Sequence, residues 1–183
     1  MSKRFLCALS VTALLATAAG DYDNFKRKLD QIEADQLRPG STVEMSAREV
    51  NAYIAREVPD GVRNARVEVT APGVATGTAL VDFAKVRRAQ GHPPGWLMSK
   101  FLSGEHPVSV TAKIQSAGGS ARVDVQRVEI SGVEIDGGTL DFLIQNCLLP
   151  LYPDAKVGRP FELGHRVDRL NVEPKGVEVL IGR

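Results

Sequence analysis

Apolar residues recur at steps of three and four near the start of the chain and at steps of two through its middle. Tyr22, Phe25, Leu29 and Ile32 follow the first rule and predict an amphipathic helix over residues 21–37, stopped by Arg38-Pro39-Gly40. The other face of that segment is dense in Asp and Lys and belongs in solvent. Ser46-Ala47-Arg48-Glu49 then has the form of a capping box: the Ser oxygen accepts the N3 amide while the Glu reaches back. Met45 and Val50 flank it as a hydrophobic staple. Val50, Tyr53, Ile54 and Val58 make one face of the helix, which ends at Pro59-Asp60-Gly61.

From residue 65 the period is two. Ala65, Val67, Val69 and Ala71 alternate with Arg66, Glu68 and Thr70, the pattern of a strand buried on one face and wet on the other. Pro72-Gly73 turns the chain, and residues 74–86 read as a second strand with Val81 and Phe83 on one face. Val108, Val110, Ala112 and Ile114 form a third. Ala117-Gly118-Gly119-Ser120 is a hairpin turn, and Ala121, Val123 and Val125 return.

The phase then slips. Val128 and Ile130 are even, whereas Val133 and Ile135 are odd again, with Gly132 between them. A one-residue slip turns every side chain to the other face unless a bulge absorbs it. Two bulges in one long strand predict a strongly curved sheet. Thr139 is placed to cap a helix through about residue 149, with Leu140, Leu143, Ile144, Cys147 and Leu148 on one stripe and Phe142 beside it. The tail reads as a strand around Phe161 and Leu163, an irregular step, and a hairpin turning at Pro174-Lys175-Gly176. The order is that of an α+β domain: an N-terminal amphipathic helix, then a curved, bulged antiparallel sheet wrapping an apolar helix.

The first residues change where such a domain is expected to work. In MSKRFLCALSVTALLATAAG, Lys3 and Arg4 precede an apolar run that ends in Ala16-Thr17-Ala18, the form of a cleavable signal peptide over residues 1–18. The run falls short of the roughly 20 apolar residues that cross a bilayer. A periplasmic or secreted location follows, after cleavage near Ala18, with residues 19–183 as a single domain. Cys7 leaves with the signal, so Cys147 is left without an internal disulfide partner. The formal charge is +1 over the whole chain, and losing Lys3 and Arg4 takes it to −1. Neither value provides a field for nucleic acid.

Chemistry is sparse. The chain has no H-E-x-x-H, C-x-x-C, G-x-S-x-G or P-loop pattern. His92, His106 and His165 are far apart in sequence. Asp136 and Asp141 bracket Gly137-Gly138, which a turn and a helix start explain without a cation. No catalytic residue, metal ligand or cofactor is expected, and the chain does not read as an enzyme.

One segment stands out. Arg87-Arg88 and Gly91-His92-Pro93-Pro94-Gly95 lead into Trp96-Leu97-Met98-Ser99-Lys100-Phe101-Leu102. A Trp among cations suits a membrane interface, with the ring at headgroup level. The same residues also suit a short helix closing the open end of the sheet. A lid over an apolar space satisfies both.

Taken together, the helix start MSAREVNAYIAREV, the long strands, the apolar helix and the closing GRPFELGHRVDRLNVEPKGVEVLI resemble a group of exported bacterial proteins. These are small domains with a tubular-lipid-binding (TULIP-like) fold, and the likeness covers residues 41–181. It rests on the Ser-x-x-Glu start with Val50-Asn51 and Tyr53, and on Val167, Leu170, Val172, Gly176, Val177 and Val179. The resemblance implies a half-tube that binds a lipid or other apolar ligand in a groove. The expected contacts are Trp96, Leu97 and Phe101 as lid and Leu140, Leu143, Ile144 and Leu148 as wall. The alternative is a cell-envelope protein-interaction or scaffolding module with no small-molecule ligand.

Overall fold

The computed structural model describes residues 6–89, 91, 104–149 and 156–183; side chains are described from residue 19 onward, those of Asn146 and Cys147 excepted. The fold is α+β, with a three-stranded and a six-stranded antiparallel sheet. The first helix, α1 (Leu6–Glu33), is one continuous element that includes the apolar run. It stops before the expected Leu37 because Asp35 takes a left-handed φ of 53°. Among the described residues no helix is long and apolar enough to cross a membrane.

Strand β1 (Thr42–Ser46) leads directly into α2 (Ala47–Glu57). The capping box is present as expected: Ser46 Oγ accepts from the Glu49 amide, and the Ser46 amide donates to Glu49 Oε2 at 2.7 Å. Helix α1 docks here through rings and one ion pair. Phe25 and Tyr22 both stack on Tyr53, at 4.5 Å and 6.0 Å respectively, and Lys28 Nζ reaches Glu49 at 2.8 Å. Glu49 is buried. Burial alone would raise its carboxyl pKa, but the bonds from Lys28 and Ser46 outweigh that and hold it below the ordinary value.

The small sheet has the order β1, β9 (Gly176–Ile181), β8 (Val167–Glu173). Ile32 of α1 joins Val43, Met45, Val167, Val179 and Ile181 in the tightest core of the molecule. Each such side chain removed from water contributes about 1.5–3 kcal/mol. Gly176 is required by this packing. At φ 148° it lies against β1, where a Cβ would collide with Met45 O and come within 2.8 Å of Ser46 Cα.

The large sheet runs β2 (Val62–Ala71), β3 (Val74–Val81), β4 (His106–Ala117), β5 (Ser120–Ile130), β6 (Val133–Glu134), with β7 (Phe161–Glu162) on the start of β5. The turn at Gly118-Gly119 is where the sequence places it. The first phase slip is a bulge: Val110 pairs with Val128 but Ala112 pairs with Val125, so β5 carries one extra residue. The second slip is not a bulge. Ser131 and Gly132, at φ 52° and 79°, form a two-residue turn that folds β6 back on β5. Two further register shifts lie between β2 and β3.

Two further expectations from periodicity change. Residues 74–86 are not one strand: β3 ends at Val81, and α3 (Phe83–Ala89) follows. Asp82 Oδ1 accepts from the Lys85 amide at 2.9 Å, which is the cap that ends the strand. The later helix, α4 (Gly137–Leu143), has Asp136 rather than Thr139 at its N-cap and continues into a π-helical turn, Ile144–Leu148. There the Leu149 amide donates to Ile144 O at 2.9 Å.

The sheets meet where β8 crosses the hairpin ends of the large one. The Gly73 amide donates to Val172 O, the Gly119 amide donates to Asp168 O, and Ser116 Oγ bonds both the amide and the carbonyl of Leu170. The opposite end of the large sheet is left to α3 and α4.

Candidate functional site

Pairing decides which strand residues share a face. Opposed residues in an antiparallel ladder point the same way. Val81, Val108 and Ile130 therefore lie together, through Ala79 opposite Val108 and Val108 opposite Ile130; the bulge brings Val110, Val128 and Val125 onto the same side. The register shift at Arg63/Arg66 does the same for Val62 opposite Val81 and Val67 opposite Gly77. The other face is polar, with Thr76 and Thr111 hydroxyls 2.9 Å apart and Arg122 paired to Asp124.

Over the apolar face at its far end lie α3 and α4. Between them and the strands is a groove of about 270 Å³. Its helical side is Phe83 and Val86 from α3 and Leu140, Leu143, Ile144 and Leu148 from α4 and the π turn; its strand side is valine and Ile130. Among the described residues, the lining holds only Val, Leu, Ile and Phe. The four wall residues expected from the sequence thus line one cavity. Trp96, Leu97 and Phe101, the expected lid, lie outside the described residues, as does His92.

Phe83 and Val86 were missed by periodicity because alternation runs through Asp82 into α3. The usable signal was Asp82 itself, a cap residue ahead of Phe83-Ala84-Lys85-Val86. Asp82 is buried, and burial would raise its carboxyl; the Lys85 amide and ammonium outweigh this and lower it. His106 stands at the start of β4, its ring 6.1 Å from Phe83 and its Nδ1 3.2 Å from Ser131 Oγ. Its Nε2 is buried and has no hydrogen-bond partner among the described residues. His165 is exposed in the turn before β8, with φ 45°.

No protein family, curated protein or solved structure was found to match this chain. Among the described residues, no three His, Cys, Asp or Glu side chains are grouped so as to hold a metal ion. What the groove offers is apolar surface. Val133 is 62% and Phe142 42% exposed, the large apolar side chains most open to water among the described residues.

Proposed function

We propose that this chain is an exported, non-enzymatic protein that takes up a lipid or similarly apolar molecule in the groove beneath α4. The observation that carries the reading is a lining without one polar side chain among the described residues, in a sheet whose opposite face is charged and hydroxylated. Ligand sites are concave and mostly apolar, commonly of about 300–1,000 Å³. At about 270 Å³ the groove suits a segment of hydrocarbon rather than a whole two-chain lipid. Transfer of each methylene from water contributes about 0.8 kcal/mol. The same reading sets the chain beside TULIP-like half-tubes, with Trp96, Leu97 and Phe101 as lid.

Export is supported by the composition of residues 1–18.

The test is uptake of a fluorescent fatty acid by the full chain and by Leu143→Asp/Ile144→Asp. A carboxylate pair in the wall should abolish uptake while circular dichroism stays that of the parent. Undiminished uptake by the folded variant would sink the proposal. The exposed Val133 and Phe142 favour a second reading, a contact surface for an envelope protein. Stable capture of one partner by a chain that binds no fatty acid would support it instead.

A further inference from the structure

The apolar face of the large sheet ends in a polar ring. His106 opposes Val81, Val81 opposes Val62, and Val108 follows His106 by two along β4. Opposed residues point the same way, as do residues two apart on a strand. The imidazole is therefore on the groove face, beside three residues that line the groove, and its ring is 6.1 Å from that of Phe83, a fourth. Its two nitrogens are placed differently. Nδ1 is 3.2 Å from Ser131 Oγ on the exposed side, and Ser131 is itself held by donation of its amide to Pro107 O at 2.7 Å. Nε2 is buried and has no hydrogen-bond partner among the described residues. Leaving a buried polar atom unmatched is costly, and in folded proteins such atoms are nearly always satisfied. The described side chains of the groove are hydrocarbon and offer Nε2 nothing.

From these relations we infer that His106 Nε2 is the head-group contact of the groove, and that its ligand is an apolar molecule ending in a hydroxyl, seated hydroxyl inward. The inference rests on the groove reading above and names its ligand class. Hydrogen bonding and charge both select the hydroxyl. A hydroxyl donates and accepts, and so does Ser131 Oγ, so a bond at Nε2 forms with either neutral tautomer of the ring. A carboxylate only accepts, and it brings a charge that no cation in the described lining offsets. Fatty acids therefore enter the same groove the other way round, methyl end inward, with the carboxylate left in water. A hydrocarbon without a head gains the transfer of its methylenes and leaves Nε2 unmatched. The apolar wall supplies affinity that does not discriminate between these molecules, because the hydrophobic effect is non-directional. His106 supplies the discrimination.

The experiment is displacement of a fluorescent fatty acid from the full chain by decanol, decanoate and chlorodecane, in the parent and in His106→Phe. A neutral hydrogen bond of this kind corresponds to about three- to tenfold in affinity. His106→Phe keeps a ring and removes both nitrogens. It should weaken decanol by about that factor and change decanoate and chlorodecane by less than about twofold. Decanol binding undiminished in the folded variant would overturn the head-group assignment and leave the groove reading intact. A loss shared equally by all three ligands would do the same, since it marks a purely structural role. Failure of decanol to displace a bound probe would overturn the assignment alone, and failure of the probe itself to bind would overturn both readings. If the variant does not fold, the parent decides through the nitrogen NMR signal of His106 Nε2, which should shift on saturation with decanol and stay in place with decanoate. No shift with decanol, or an equal shift with both, would overturn the assignment.

Discussion

The side-chain amide of Asn51 holds Val67 as a neighbouring strand would. Its Oδ1 accepts from the Val67 amide at 2.7 Å and its Nδ2 donates to the Val67 carbonyl at 2.9 Å. Val67 lies on β2, the edge of the large sheet, where backbone groups are otherwise open to another chain. A second donation, to Ala47 O at 2.8 Å, ties the same amide to the first turn of α2. One residue thus sets the helix against the sheet and blunts its edge. Ser116 repeats the device on β8 by bonding both backbone groups of Leu170.

Asn51→Ala should therefore cost about 1–3 kcal/mol, since it leaves two half-buried backbone groups without their partner. Asn51→Asp should do no better: a carboxylate accepts from the Val67 amide but has nothing to donate to its carbonyl. Urea denaturation checks both, and a parent-like midpoint for Asn51→Asp would contradict the assignment.

The pH dependence of stability follows from Glu49 and Asp82, both lowered. A depressed folded-state pKa contributes stability that is present above the unfolded carboxylate value, about 4, and lost as pH falls through the folded value. Stability should thus decline on acidification below about pH 5. Glu49→Gln should flatten part of that decline and lower stability at pH 7. A parent slope in Glu49→Gln would show that other carboxylates carry it.

Two glycines should respond oppositely to one methyl group. Gly176→Ala drives a Cβ into Met45 O at the β1–β9 pairing, where backbone cannot yield, and should cost about 3 kcal/mol or more. Gly77→Ala places its Cβ at ordinary van der Waals distance, 3.8 Å from Val67 Cγ2, and should change stability by less than about 1 kcal/mol. Thermal melts of the two variants make the comparison.

Trp96 and Phe101 give a prediction that depends on sequence alone. If they form the lid, Trp96→Asp/Phe101→Asp should lose acyl uptake and keep the parent's far-ultraviolet spectrum. Normal uptake by that folded variant would remove the lid from the account.

Much of the fold is local and was legible on that ground. The capping box, the alternation in β2, β4 and β5 and the turn at Gly118-Gly119 each follow from residues a few positions apart. The bulge near Gln126 was legible as a slip of phase. The turn at Ser131-Gly132 gave the same slip, and only the Glu129–Glu134 pairing separates a turn from a bulge. The strand reading ran on through Asp82 because Val81 and Phe83 preserve the period while a side-chain cap changes the backbone. The wall residues Leu140, Leu143, Ile144 and Leu148 were legible as a helical stripe. The floor opposite them was not, because Val62, Val81, Val108 and Ile130 meet only through long-range register.

The central claim is that the groove holds hydrocarbon. Native mass spectrometry of the full chain purified from the exported fraction, followed by organic extraction, tests it most directly. The account predicts a mass increment from a lipid or fatty acid at near-stoichiometric amount, released into the organic phase. A protein of bare polypeptide mass that also fails to acquire fatty acid when it is supplied would contradict the claim.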